Sequence, residues 1–220
     1  MKKYRLHKRR LKIWSRDYLV YRYLWPNIEW AVGKAVSSTH PRVPLVIDVG
    51  CGHKPYRDLF GNACYIGMDY GTEDTSADFV GDARKIPIET GSVDIVFSTQ
   101  VIEHVPHPDQ MMRECSRVLK PGGHLILTGP FYWPLHEEPL DFYRFTKYGF
   151  AQLLSDAGFS EWEIREDGGD WAQLMLALNL RLSSRLMAPI RCIVNLAGAF
   201  FDAISTSKIS PSNYTVLAKR

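Results

Sequence analysis

The residues best placed to do chemistry begin with Val46-Ile47-Asp48-Val49-Gly50-Cys51-Gly52, an apolar run that stops in a glycine turn with one carboxylate just before it. Such a run reads as a buried strand whose end receives a ligand on the backbone. The next residues, His53-Lys54-Pro55-Tyr56, narrow the choice of ligand. A dinucleotide fingerprint needs a third glycine where Pro55 stands, and the proline ring blocks close approach. The turn therefore fits a ligand that needs backbone contact and no pyrophosphate cradle. Asp69 lies 19 residues past Gly50, near the spacing at which an acid accepts both ribose hydroxyls. Asp82 could accept from an exocyclic amine such as that of adenine, Asp48 is placed to attract a cationic group, and Ser98-Thr99-Gln100 ends a further apolar run. One acid at a strand end is commonly a cap; several on neighbouring strands converge on one crevice. Together they describe a nucleoside with a positive end and no phosphate requirement.

These residues need elements to carry them. Leu45–Val49, Tyr65–Asp69, a short Asp78–Val80, Val93–Ser98 and Leu125–Thr128 read as strands, with Val93–Ser98, apolar nearly throughout, buried on both faces. Pro55–Phe60 opens a short helix that Gly61 can end. Asp109 is expected to cap a helix with Met111, Met112, Cys115, Val118 and Leu119 on one stripe, stopped by Pro121-Gly122-Gly123. Thr146 caps a second helix, with Phe150, Leu153, Leu154 and Ala157 inward and Gly158 as its stop. Glu161–Arg165 alternates as a half-exposed strand, and Tyr214–Ala218 is the last. Strands alternating with helices make an α/β, doubly wound, Rossmann-like sheet of mostly parallel strands, with its ligand beyond their carboxyl ends. Residues 1–40 read as a basic, aromatic-rich helical extension, with a helix from about Arg16 to Val36 interrupted near Pro26 and a linker at Pro41 and Pro44. Residues 41–220 form the main domain, and within it 171–209 read as a helical insert or lid.

The chain resembles the class I S-adenosylmethionine-dependent methyltransferases, in the broad subgroup with a D-x-G-C-G turn. The resemblance runs from about Val46 to Gly158 and rests on Asp48-Val49-Gly50-Cys51-Gly52, Gly67-Met68-Asp69, Asp82-Ala83, Ser92-Val93-Asp94-Ile95-Val96, Ile102-Glu103-His104-Val105 and Arg117-Val118-Leu119-Lys120-Pro121-Gly122-Gly123. It implies a seven-stranded sheet with an antiparallel last strand and S-adenosylmethionine as cofactor. It assigns Asp48, Gly50, Cys51 and Gly52 to the methionine part, Asp69 to the ribose, Asp82 and the backbone at Ala83 to the adenine, and Ser98, Thr99 and Gln100 to the methyl-bearing sulfonium. Asp94 and the Pro121-Gly122-Gly123 turn are structural in this reading. Pro55, where many members have glycine, is a variant within a Cys-Gly-x-x-Pro-Tyr pattern.

Methyl transfer is largely positioning, and a hydroxyl acceptor also needs a base, most often histidine. His104, after the fourth strand, and His136, after the fifth, are the candidates. His136 lies in Pro134-Leu135-His136-Glu137-Glu138-Pro139-Leu140-Asp141-Phe142-Tyr143-Arg144, which sets a histidine, three acids and an arginine at the mouth of the crevice. Its blandest account is helix capping and surface ion pairs. The favoured one is a substrate site, with Arg144 meeting an anionic group or pairing with Asp141. His104 and His107 lack further spaced ligands, so no metal is expected. The Cys-Gly-x-x-Pro-Tyr turn and His-Glu-x-Pro-x-Asp loop also resemble those of bacterial methyltransferases of sugar and surface-polysaccharide assembly, which implies a small-molecule, glycan or lipid-linked acceptor.

Charge is unevenly spread. Eight of the 27 Lys and Arg fall in residues 1–16 without an acid, leaving 19 against 24 acids in the remainder. This tail is either a solvated end or a foot for an anionic lipid surface, where each base contributes roughly 1 kcal/mol. No nucleic-acid recognition motif accompanies it. Residues 171–205 hold no stretch of about 18 uncharged apolar residues, so they read as helices packed on the sheet, a lid, or an interfacial pair. The four cysteines lack C-x-x-C spacing and, with no secretory signal visible, imply a cytoplasmic protein, with the inner membrane face as the site of any tail contact. Two other classes share these features. A nicotinamide oxidoreductase would use the same sheet and Asp69, although it lacks the third glycine and a Tyr-x-x-x-Lys spacing. A cofactor-binding but catalytically silent docking module would keep the strand-end acids.

Overall fold

The structure, a computed structural model, describes residues 12–39, 42–71, 75–205 and 207–220. Most of the basic tail and Pro41 of the linker lie outside these described residues. The strands are β1 (Leu45–Val49), β2 (Cys64–Asp69), β3 (Phe79–Val80), β4 (Val93–Thr99), β5 (Leu119–Pro130), β6 (Glu161–Asp167) and β7 (Asn213–Lys219). The helices are α1 (Tyr18–Thr39), α2 (Pro108–Val118), α3 (Lys147–Asp156), α4 (Asp170–Arg181) and α5 (Ala188–Ile204). All seven strands join one sheet in the order β3-β2-β1-β4-β5-β7-β6. β7 runs antiparallel to both β5 and β6, and the other pairs are parallel. The chain order reverses between β1 and β4, so the crevice for a ligand opens beyond their carboxyl ends.

Period-two alternation divides the core into two layers. Ile47, Val49, Val96, Leu125, Leu127 and Val216 face α2 and α3. Val46, Ile95, Phe97, Ile126 and Leu217 face α1 and Leu176 of α4. Helix α1 runs unbroken through Pro26, where an interruption is expected. Pro26 lies on the exposed side, so the carbonyl it leaves without a donor faces water. The buried stripe of Leu19, Leu24, Ile28, Ala31 and Ala35 outweighs the roughly 3 kcal/mol of a helix proline.

Two other local expectations change. Asp109 is not a cap: α2 begins after His107 with no side-chain cap, and Asp109 pairs with Arg113 in the next turn. The Pro121-Gly122-Gly123 turn interrupts nothing but a register, since β5 resumes pairing with β4 beyond it, Val93 facing Leu119 and Ile95 facing His124. Asp94 is structural as expected, accepting from Leu45 N at 2.9 Å and from Lys120 Nζ at 3.0 Å. Thr146 does cap α3, accepting from Gly149 N at 3.0 Å.

Asp167 fastens α1 to the sheet. Fully buried at the end of β6, it accepts from Asn27 Nδ2 at 2.6 Å and from Thr215 Oγ1 at 3.0 Å. Burial pushes its carboxyl up to about 7, against the opposing pull of these donors. A raised carboxyl favours folding most below the unfolded value and loses that advantage as pH rises through the folded one. Replacing Asn27 by Ala removes a donor and extends the loss to higher pH. Asn27→Ala should cost about 1–3 kcal/mol in denaturant unfolding, more at pH 8 than at pH 5; an equal cost at both would show that the carboxylate does not depend on this donor.

Candidate active site

The glycine turn spends its amides on its neighbour. Gly50 N and Cys51 N both donate to Met68 O, at 2.9 and 3.0 Å, and Gly52 N donates to Asp69 Oδ2 at 2.8 Å. An anion cradle needs free N–H groups converging on one point. None of these three is free, which excludes a phosphate cradle built from them and agrees with the reading of Pro55. What the glycines provide is shape. Gly50 has φ +74°, and a Cβ there would stand 2.3 Å from Val101 Cγ2. Gly52 has φ +48° and open space where its Cβ would be, so a ligand can rest directly on the backbone.

Among the expected contacts, Asp69 is the best placed. Its oxygens accept from Gly52 N and Tyr70 N, leaving lone pairs for ribose hydroxyls. Asp82 receives Arg84 through Nε and Nη2, at 3.0 and 2.6 Å, and this pairing holds its carboxyl below the usual range. Any adenine amine at Asp82 must share that carboxylate with Arg84, beside the buried Ala83. Two residues sit differently from expectation. Asp48 is buried beneath the turn, bonded to Tyr65 Oη, and desolvation pushes its carboxyl up to about 7. It shapes the strand end from below and does not reach out to a cation. Ser98 is fully buried and donates to Val49 O at 2.8 Å, so it ties β4 to β1 and leaves the ligand side to Thr99 and Gln100. Burial pushes the Cys51 thiol up to about 12, which makes it an inert wall of the turn.

The second half of the site lies past β4 and β5. Gln100, with φ +55°, is held by Thr128 Oγ1 through Nε2 at 3.0 Å. The chain then enters the short turn Ile102–His104. The ring of His104 meets that of His136 edge to face, centroids 4.7 Å apart. Asp141 organises the loop between them: it takes Arg144 Nη1 at 2.7 Å and Nη2 at 2.8 Å, and His136 N at 3.0 Å, with His136 Nδ1 at 3.3 Å. Arg144 holds the Asp141 carboxyl far below its ordinary value. Arg144 also donates to Trp133 O and Pro134 O, so the pairing alternative holds and no guanidinium edge is reserved for an anion. Lys54, Gln100 and Glu137 are the non-glycine residues with positive φ among those described, and each lies in a loop that follows a strand of the parallel part of the sheet.

Three neighbours of the expected residues carry no expectation from sequence. Val101 packs on Gly50, and Tyr65 supports Asp48. Glu103, fully buried, has neither carboxylate oxygen hydrogen-bonded, and burial pushes its carboxyl up to about 8. The pair Glu103-His104 at a strand end was the available signal for the third of these.

Comparison with known proteins places this arrangement. A family model described as a methyltransferase domain matches residues 47–127. An uncharacterized methyltransferase of Mycobacterium leprae is 31% identical over 182 residues, covering 69% of this chain and 67% of its own. A protein of Mycolicibacterium smegmatis named as a probable S-adenosylmethionine-dependent methyltransferase is 33% identical over 132 residues, 52% of this chain and 51% of that one. The chain thus spans about half the length of several curated relatives it matches. A solved S-adenosylmethionine-dependent methyltransferase of Archaeoglobus fulgidus shares the fold at TM-score 0.58, with 15% identity, covering 88% of this chain and 93% of its own. The chain belongs to the class I S-adenosylmethionine-dependent methyltransferases.

The strand ends fit that cofactor on their own terms: an open glycine backbone at Gly52, a carboxylate with spare lone pairs at Asp69, and no phosphate cradle. Gly50→Ala forces a left-handed residue against Val101 and should lower unfolding stability by at least about 2 kcal/mol. A companion Val101→Ala change should recover part of that loss; no recovery would mean the strain lies elsewhere.

Proposed function

We propose that the chain transfers a methyl group from S-adenosylmethionine to a hydroxyl of a glycan-type, lipid-linked acceptor at an anionic membrane surface. The observation that carries the acceptor half is the groove into which the histidine loop opens. It has a volume of about 520 Å³, and its walls are Trp133, Pro134 and Leu135 of that loop, Leu180 of α4, and Ser15–Asp17 of the N-terminal segment. Neither histidine lines this groove; its link to the histidine pair is the chain itself, since Leu135 of its wall directly precedes His136.

Bound, the cofactor supplies an electrophilic methyl group on sulfur. The rest is the work of the chain. Gly50 and Gly52 let the methionine part rest on the turn, Asp69 accepts the ribose hydroxyls, Asp82 and the backbone at Ala83 meet the adenine, and Thr99 and Gln100 border the methyl. Asp141, clamped by Arg144, orients His136, which serves as base or orienter for the acceptor hydroxyl beside His104. Asp141 and Arg144 act as positioning residues. A nicotinamide reading is disfavoured because a pyrophosphate would find no free amide in the turn.

The lipid part is supported by α5, whose amphipathicity is inverted. Arg191, Asn195 and Gly198 face inward, while Ile193, Leu196, Phe200 and Ile204 are more than half exposed. Arg185–Ile204 is long and apolar enough, by length and composition, to cross a membrane, although most of that span is not buried in the protein. The inward polar residues hold it against the fold: Arg191 Nε donates to Trp14 O at 2.8 Å and Asn195 Nδ2 to Ser15 O at 2.9 Å. The basic tail thus departs from beside an exposed apolar face, the combination that anionic lipid surfaces attract. This reading places the protein in the cytoplasm, peripheral on the inner membrane face.

Two experiments test these halves. Asp69→Ala should weaken S-adenosylhomocysteine binding roughly 10- to 100-fold by calorimetry, whereas His136→Ala should cut methyl transfer roughly 100-fold or more with that affinity nearly unchanged. An unaltered rate in the second variant would sink the assignment, and no transfer into any lipid-linked glycan fraction by the unaltered protein would favour the silent module. For the membrane, deletion of residues 1–11 and the change Phe200→Glu should each reduce co-sedimentation with phosphatidylserine vesicles. Retained binding in both would return the tail and α5 to ordinary solvated surface.

A further inference from the structure

We propose that Glu103, His104 and His136 hold one divalent transition-metal cation of the zinc class where the turn after β4 meets the loop after β5. One ligand atom from each lies within 4.8 Å of the others. Zinc-class ions bind imidazole nitrogen and carboxylate oxygen at about 2.0–2.2 Å, which needs ligand atoms about 3.4 Å apart, so closure requires a shift of about 1 Å. With the His136 backbone held by Asp141, that shift falls to the side chains of His136 and Glu103.

Independent features prepare each ligand. His104 Nδ1 stands 2.6 Å from Leu140 O, and a carbonyl only accepts, so Nδ1 carries the proton and Nε2 keeps its lone pair. That free nitrogen is 4.0 Å from Glu103 Oε1 and 3.8 Å from Glu137 Oε2. A ligating histidine usually donates its other ring N–H to a carbonyl or carboxylate, and Leu140 O is so placed for His104, while His136 Nδ1 is buried 3.3 Å from Asp141 Oδ2 without a hydrogen bond. Glu103 is the telling residue. Its side chain is fully buried and neither oxygen has a hydrogen-bond partner, a costly arrangement unless a cation completes it. Two imidazoles with one carboxylate select a zinc-class ion over magnesium or calcium, which prefer oxygen throughout. Sequence spacing conceals the group, because His136 lies 32 residues beyond His104. His107, the neighbour by sequence, is exposed and stands apart before α2.

Three protein ligands leave a coordination position open. Resting on the acceptor-site reading above, that position takes an acceptor oxygen, and the cation orients it and lowers the pKa of its hydroxyl. His136 then orients through the ion.

Chelator-treated full-length protein titrated with Co²⁺ should bind a single ion with a visible absorption band, and Zn²⁺ should displace it. Glu103→Gln and His136→Ala should each weaken Co²⁺ binding by roughly 100-fold or more, while His107→Ala should leave it unchanged. Metal-free Glu103→Gln should be about as stable as the unaltered protein, because it exchanges a buried carboxyl without a hydrogen-bond partner for a neutral group of the same shape. The proposal is overturned if the unaltered protein takes up no Co²⁺, or if both ligand variants bind it as tightly. Calorimetry with S-adenosylhomocysteine on the same samples separates the two readings. Cofactor binding without Co²⁺ binding removes the metal alone, and Co²⁺ binding without cofactor binding keeps the metal and removes the proposed methyl transfer.

Discussion

The site depends on how the end of β2 takes up the amides that end β1. Met68 O and the Asp69 carboxylate receive the N–H groups of Gly50, Cys51 and Gly52, so the turn is rigid and has no donor left for a phosphate. A second contact passes this rigidity across the sheet. Gly50 approaches Val101 so closely that no side chain fits between them, and Val101 is the first residue of the turn that delivers Glu103 and His104. The carboxylate of Asp69 and the ring of His104 are thereby set in one frame by backbone geometry. Methyl transfer gains most of its rate from positioning, so this frame matters more than any one polar contact.

In the loop after β5 the corresponding anchor is Asp141. A loop of 131–146 cannot hold a histidine in register by packing alone, since Leu135 and Leu140 are exposed. Asp141, its side chain 1% exposed, collects a guanidinium, a backbone amide and an imidazole edge. Charge-assisted, bidentate pairing fixes direction as well as distance. The arginine expected at the mouth for a substrate anion is the price of that order.

Much of the frame was legible in the residues, because strand periodicity and glycine turns are local properties. Leu45–Val49 matches β1 residue for residue, and Asp69 stands where its spacing from Gly50 puts it. Most of the departures are tertiary. Asp48 and Ser98 belong to the expected motif, but alternation along their strands turns them inward, toward Tyr65 and the carbonyl of Val49. Pro26 breaks no helix because its free carbonyl partner faces solvent. Asp109 yields its capping role to an ion pair with Arg113. Glu103 stands in the Ile102-Glu103-His104-Val105 motif without a role of its own, and burial without a partner is what sets it apart.

Helix α5 brings the same reasoning to the surface. A helix that merely covered the sheet would turn Ile193, Phe200 and Ile204 inward and leave Arg191 and Asn195 in water. Here the polar residues are inside, because the backbone carbonyls of Ile13, Trp14 and Ser15 are there to receive them. Unpairing Arg191 in the interior costs several kcal/mol, so the helix cannot simply roll over to hide its apolar side. The orientation is therefore fixed by the segment from which the basic tail departs, and the apolar face stays outward whatever it meets. An outward face of this size on a water-bound protein is costly, and it becomes favourable when the neighbouring medium is apolar and the charges beside it have anions to meet.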